Sequence, residues 1–192
     1  KDLAGLEFVD ILNQLEFTSE DRDVQIALEV LNKWDGFADL DSAGATVYNL
    51  VNNQLMKDVF YRELGKELAD RVLGMGFHPM LKSTNEKYHS RNNRLFRLLR
   101  NPENSWFKKV GGLQTALETS FKKVVAKLRE ECGEEPESWK WKHFNKLVYP
   151  HAMAIKKPLD KVFNIGPAPT GGDKHTPLQM GSPMDNFGTK EW

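Results

Sequence analysis

The sequence predicts a mainly α fold that ends in an irregular, proline- and glycine-rich tail with room for short strands. Three observations carry this. Apolar residues recur at spacings of three and four through residues 1–132, the interval that puts side chains on one helical face. Seven of the nine prolines (136, 150, 158, 167, 169, 177 and 183) fall after Gly133, where a fixed φ and a missing N–H favour turns and extended segments. That same tail holds Trp139, Trp141, Phe144, Tyr149, Phe163, Phe187 and Trp192, and burying one large apolar side chain is worth about 1.5–3 kcal/mol. The expected organisation is a helical domain over 1–132 and an ordered aromatic tail over 133–192 that wraps the helices or meets a partner surface.

The helices follow in order. Leu3, Leu6, Val9, Ile11, Leu12 and Leu15 form a first stripe. Val24, Ala27, Leu28, Leu31 and Trp34 form a second, behind Thr18, Ser19, Glu20 and Asp21, whose hydroxyls and carboxylates suit a helix start. Gly36 is the expected stop. Asp41 and Ser42 start a third helix, whose Val47, Leu50, Val51, Leu55, Val59, Phe60 and Leu64 carry it toward Leu73. A fourth is expected from Asn85 to Leu99, before Asn101-Pro102, and a fifth from about Gly112 to Glu131. No internal repeat or low-complexity tract is present.

Composition narrows the function. A chain of 192 residues can bury a core, and 27 basic against 27 acidic residues give no net charge. A balanced charge argues against nucleic-acid binding, which needs a basic surface to neutralise phosphates. The single cysteine, Cys132, excludes an internal disulfide framework and a cysteine-rich zinc site. No apolar run approaches the ~20 residues that span a bilayer. The chain opens at Lys1 rather than Met and shows no signal-peptide pattern, so its N-terminus is expected to be a cut or processed end.

The chemistry-bearing residues give little by themselves. His78, His89, His143, His151 and His175 include no pair at the i, i+4 spacing of a helical zinc site. Arg91, Arg94, Arg97 and Arg100 step by three with apolar residues between them, which predicts a solvated face with local ion pairs. Gly171-Gly172-Asp173 lacks the Lys-Ser/Thr of a phosphate loop and reads as a tight turn leading into an extended segment. The serines at 19, 42, 83, 90, 105, 120, 138 and 182 read as caps and loop residues, and Cys132 has no placed histidine.

The order of several segments is more informative. Leu28-Glu29-Val30-Leu31-Asn32-Lys33-Trp34-Asp35-Gly36 followed by Asp41-Ser42-Ala43-Gly44-Ala45-Thr46-Val47-Tyr48-Asn49-Leu50 resembles a stretch of the penicillin acylase (penicillin amidase) family. Leu98-Leu99-Arg100-Asn101-Pro102 with Ser105-Trp106-Phe107 resembles the family's leucine pair and Trp-containing loop. Leu113 to Leu128 is similar to the helix before the family's tryptophan motif. Trp139-Lys140-Trp141 and Tyr149-Pro150-His151 resemble its tryptophan motif and aromatic-Pro-His step. Phe163 to Thr176, with Gly166-Pro167 and Gly171-Gly172-Asp173, resembles its Gly-Pro…Gly-Gly-Asp…Thr signature. The resemblance covers about Val24 to Thr176. Lys142 stands where the family usually has Gly, and Asn145 where it usually has His, so the tail packing is expected to differ there.

The resemblance implies an αββα Ntn hydrolase, cut from one precursor into an α and a β chain, that hydrolyses N-acyl amides such as β-lactam antibiotics and acyl-homoserine lactones. Its nucleophile is a serine at the first position of the β chain, activated by its own α-amino group, whose pKa of ~7.7–8.0 suits that role. That serine, the oxyanion-hole asparagine and the calcium ligands all lie upstream of the matched segment in the family. The resemblance therefore carries no catalytic, cofactor-binding or metal-ligating residue onto this chain, and His143, His151 and His175 are expected to be structural. It implies a non-catalytic interior segment of the β chain, whose tail packs on the helices or on the remaining catalytic layers. The partners implied are the remainder of the acylase, namely its α chain and the N-terminal part of its β chain, and an N-acyl amide substrate. Periplasmic or extracellular location is implied in the same way. The alternative is a stand-alone helical interaction module with no catalysis.

Overall fold

The computed structural model describes residues 1–73, 91–149, 151–155, 157–173 and 175–178. Helix α1 spans Leu3–Gln14, α2 Arg22–Asn32, α3 Ala43–Leu73, α4 Arg91–Leu99, α5 Ser105–Lys108 and α6 Leu113–Cys132. After a 3₁₀ turn at Pro136–Ser138 come α7 (Trp141–Phe144), β1 (Lys146–Tyr149), a second 3₁₀ turn at Ala152–Ile155, α8 (Asp160–Phe163) and β2 (Ile165–Pro169). The fold is mainly α, and its one described sheet is an antiparallel pair that sets Lys146 against Pro169, Leu147 against Ala168 and Tyr149 against Ile165. No described helix is long and apolar enough to cross a membrane.

Capping fixes where the helices begin. Asp21 accepts from the N–H groups of Asp23 and Val24, and Ser42 Oγ accepts from Ala45 N–H at 3.1 Å, which satisfies donors that have no intrahelical partner. Helix α2 ends at Asn32, before Gly36. The Gly36 carbonyl instead accepts the Asp2 N–H at 2.7 Å, and Asp2 in turn caps α1 through Gly5 N–H at 2.9 Å. The buried stripe of α1 is Gly5, Phe8, Ile11 and Leu12, whereas Leu3 is 73% exposed. The stripe is rotated because Trp34 lies over Gly5, so a residue without a side chain marks the contact. Asn85 to Ser90 of the expected fourth helix lie outside the described residues, as do His78, His89, Ser83, Ser182, Phe187, Trp192 and the side chain of Arg91.

Helix α3 is the centre of the fold and packs on α6, with α2 against both. Every residue from Gly44 to Asn52 is buried. Its core face continues through Leu55, Met56, Val59 and Phe60, and the 3.6-residue period would next place Glu63, Lys66, Glu67 and Asp70 there. That polar run cannot face an apolar core. Gly65, with φ 70° and ψ 162°, breaks the helix into two arms and resets its phase, so that Ala69 and Leu73 are buried instead. Tyr61 Oη and Lys66 Nζ both bond the Asp70 carboxylate, at 2.7 and 2.9 Å, and brace the bend.

Ion pairs at the helix seams add a pH-dependent contribution. Lys109 reaches Glu63 at 2.6 Å, and Lys122 reaches Glu118 at 3.0 Å while Ser19 Oγ donates to the same carboxylate. The Lys109 hydrogen bond holds Glu63 below its ordinary pKa, and the Lys122 and Ser19 bonds do the same for Glu118. A carboxylate whose pKa is lowered by folding stabilises above its unfolded value, and this stabilisation is lost as pH falls through the folded one. Urea midpoints measured from pH 7 to pH 2 are expected to hold above about pH 4.3 and to fall below it, and Glu63→Gln flattens that fall.

Gly44 and Gly5 clasp the two ends of the Trp34 indole. A Cβ on Gly44 would lie 2.3 Å from Trp34 Cγ, and one on Gly5 2.5 Å from Cη2. Overpacking of this kind costs about 1–3 kcal/mol. Gly44→Ala is expected to lower the thermal unfolding midpoint accordingly, and a midpoint at or above that of the parent chain contradicts this packing.

Candidate functional site

The polar groups of the chain converge where three distant segments meet the buried arm of α3. The first is the loop after α2. Its Ala38 carbonyl accepts Gly172 N–H at 2.7 Å, and its Leu40 carbonyl accepts Lys142 N–H at 2.8 Å. The second is α7 and the residue that follows it. Trp141 Nε1 donates to Gly172 O at 2.8 Å, and Asn145 Nδ2 donates to Thr170 O at 2.8 Å and to Gly172 O at 3.0 Å. The third is the turn at Gly171-Gly172-Asp173. Asp173 is almost fully buried; its Oδ2 accepts from Asn49 Nδ2 at 3.3 Å and its Oδ1 from His175 N–H at 3.0 Å.

Gly172 is the pivot of this joint. Its φ of 76° is one that L side chains rarely adopt, and an added Cβ would lie 1.9 Å from the Leu178 carbonyl. Its single carbonyl takes two side-chain donors while its N–H is spent on Ala38, so both backbone groups are satisfied from other segments. The expected turn is therefore present, but it folds inward and is held by Asp173 and the Thr176 hydroxyl rather than leading into an extended strand.

A second layer of polar groups lies beneath. Asn92 Nδ2 donates to Tyr48 Oη at 3.0 Å, and Asn52 Nδ2 donates to Asn92 Oδ1 at 2.9 Å. Burial, with Asp2 and Asp173 nearby, pushes the Tyr48 hydroxyl well above the ordinary tyrosine pKa, so it stays protonated and serves as a hydrogen-bonding group. The amides of Asn49, Asn52, Asn92 and Asn145 are neutral at every pH, which makes this a connector with few titrating parts.

The residues singled out in the sequence are spread widely. His143 and His151 are exposed; His151 stacks on Phe163 at 5.5 Å and its Nδ1 accepts Met153 N–H. His175 lends its backbone N–H to Asp173. Cys132 closes α6, and burial raises its thiol pKa. Arg94 bonds the Val72 carbonyl and Arg100 pairs with Glu7, while Arg97 is exposed. Ser42 caps α3, but Ser120 departs from the cap-or-loop expectation. It is fully buried within α6 and donates to Asp58 Oδ2 at 3.1 Å, because Asp58 on the facing helix needs donors that Lys123 and Gln54 only partly supply. Among the described residues no group of three His, Cys, Asp or Glu side chains is placed to hold a metal ion.

An open cleft of about 460 Å³ lies beside the joint, between Trp34, Phe37, Asp39, Asp41, Gly44 and Glu137. Two of its carboxylates are engaged: Asp41 pairs with Lys142 at 2.8 Å and Lys140 at 3.3 Å, and Asp35 accepts Phe37 N–H. Lys142, which departs from the family's usual Gly, thus has a use here, and so has Asn145, whose single NH₂ spans two carbonyls. The four-asparagine network was missed in the sequence. Its signal was present in Tyr48-Asn49-Leu50-Val51-Asn52, where amides interrupt an otherwise apolar helix.

These clasped segments are the ones whose order resembled a known family. The sequence model of the family described as penicillin amidase matches residues 1–191. The chain belongs to the penicillin amidase family. A comparison with curated proteins gave no match. Membership supports an acylase-like hydrolytic function, and the match extends beyond the Val24 to Thr176 stretch on which the resemblance rested.

Asn145→Ala removes the two hydrogen bonds that its amide gives to Thr170 O and Gly172 O, leaving the Thr170 carbonyl without its side-chain partner and Gly172 O with Trp141 alone. Loss of a buried hydrogen-bonding partner costs about 1–3 kcal/mol. The variant is expected to unfold at lower denaturant and to be cut by protease first between α7 and Thr176, while α1–α3 remain protected. Unchanged proteolysis of the tail would show that the joint does not hold it.

Proposed function

We propose that this chain is a non-catalytic, interior β-chain segment of a penicillin-amidase-type Ntn hydrolase, and that it braces the site at which an N-acyl amide is cleaved. The observation that carries this is the joint at Gly172. The signature residues of the tail are used to bind the tail to the helical body, and the described hydroxyls and imidazoles singled out above that make side-chain hydrogen bonds make them within the fold. The work such a segment can do is mechanical: α3, α6 and the loop after α2 form a stiff body, and β1–β2 project from it.

The projecting part supports the same reading. Tyr149, Met153, Val162 and Ile165 are exposed large apolar side chains, and a two-stranded sheet is marginal without a layer to pack on. The remainder of an acylase, its α chain and the N-terminal part of its β chain, supplies such a layer in this proposal. The nucleophile is then a serine upstream of Lys1 that uses its own α-amino group as base, and the compartment is periplasmic or extracellular.

The test is an assay with a chromogenic acyl-anilide. The purified chain is expected to show no turnover, and turnover appears when the chain is produced together with upstream sequence that begins at a serine. Hydrolysis by the chain alone would falsify the proposal. A native protein that is a single species starting near Lys1, shown by intact mass and N-terminal sequencing, favours a stand-alone interaction module instead.

A further inference from the structure

The ribbon of β1 and β2 has two outer edges, and they differ. Thr170 N–H donates to Asn145 O at 3.0 Å, and Thr170 O accepts from Asn145 Nδ2 at 2.8 Å, so both backbone groups of Thr170 point toward β1. In an antiparallel strand each residue turns its N–H and C=O to one side, and successive residues alternate. Alternation turns Pro169 outward, Ala168 back toward its partner Leu147, and Pro167 outward again, beside the irregularity in register between Leu147 and Tyr149. The outer edge of β2 is therefore carried by two prolines, neither of which has an N–H to give. Proline on a sheet edge blocks the addition of a further strand.

The outer edge of β1 is the opposite case. Asn145 O and Leu147 face β2, so the same alternation turns the N–H and C=O of Lys146 and Val148 outward. Among the described residues, no backbone hydrogen bond from outside the ribbon reaches any of these four groups. An edge that presents donors and acceptors in this order accepts another strand by main-chain pairing, and a ribbon of two strands is marginal until it gains one. Tyr149 and Ile165 stand opposite each other and are both exposed, so a strand added beside β1 also widens the apolar face that they begin. A second copy of β1 suits the edge poorly. The antiparallel register that pairs both free residues of each copy makes the two Lys146 side chains diagonal neighbours at about 7–8 Å, with like charges.

We infer that the outer edge of β1 receives a third strand, supplied by the part of the acylase that the segment reading above places outside this chain, and that the outer edge of β2 receives none. Main-chain hydrogen bonds at Lys146 and Val148 hold the added strand. The prolines of β2 fix the side on which the sheet grows.

Hydrogen exchange followed amide by amide tests this, on the isotope-labelled chain alone and on the chain produced with its upstream sequence. Alone, Lys146 and Val148 are expected to exchange faster than Leu147 and Ala168, which face each other inside the ribbon. With the upstream sequence present, Lys146 and Val148 are expected to slow by at least about 100-fold. Val148→Pro removes an outward donor and no bond within the ribbon; it is expected to leave Leu147 and Ala168 as they were and to cancel the gain at Lys146. If Val148→Pro does not fold, the comparison of the parent forms decides. Acyl-anilide hydrolysis by the same preparation reports separately on the segment reading: slowed amides without hydrolysis support the edge and count against that reading alone. Amides at Lys146 and Val148 that stay fast beside the upstream sequence, with or without hydrolysis, overturn the assignment. So does slowing in the isolated chain that grows with its concentration, which marks a second copy.

Discussion

Helix α3 is enclosed on every side between Gly44 and Asn52, and the rest of the structure is arranged around that constraint. An enclosed helix satisfies its backbone internally, but each polar side chain it carries has to be matched by a neighbour. Tyr48, Asn49 and Asn52 therefore dictate what must come near them: Asn92 from α4 and Asp173 from the tail. The apolar side of the same arm dictates the other contacts, with Phe8 against Tyr48 at 5.7 Å and Trp34 stacked on Tyr48 at 5.6 Å. A helix that combines both demands fixes the position of α1, α2, α4 and the tail together.

The seams outside this centre are of a different kind. Arg129 pairs with Asp23 at 2.7 Å and Lys123 with Asp58 at 2.6 Å, each joining two helices, and Lys109, just after α5, pairs with Glu63 of α3 at 2.6 Å. Such pairs are individually weak, and three of them cannot replace a core. They choose among packings that the apolar faces already permit. The stack of Phe17 on Phe121 at 5.6 Å and the buried row Leu117, Val125 and Leu128 hold α6 in place.

Much of the helical architecture was legible because it follows from period and punctuation. Ser42 and Asp21 announced their helices, and Gly112 preceded α6 by one residue. Two features escaped for physical reasons. The stripe of α1 is centred on Phe8 because Trp34 packs against Gly5, and a contact made by an absent side chain leaves no mark in an apolar pattern. The break at Gly65 was hidden within a continuous helical period. Only the change in phase, from Val59 and Phe60 to Ala69 and Leu73 with charges between, records it. Of the joint, Gly172 and Trp141 stood in recognised segments, whereas the role of Asn145 depends on a partner 25 residues away.

That partner explains why the order of short segments was informative when each alone was weak. Trp34 of Trp-Asp-Gly is clasped by Gly44 of the small-residue helix start. The loop between them offers Ala38 and Leu40 carbonyls to Gly172 and Lys142. Trp141 of the tryptophan motif closes on Gly172 of Gly-Gly-Asp, whose aspartate returns to Asn49. The segments are thus parts of one contact, and each constrains the residue types the others can hold. Gly172 cannot gain a side chain without meeting Leu178, and Gly44 cannot gain one without displacing Trp34. A change at one position of such a set meets the others directly. Such a set identifies a family through the physics of its assembly.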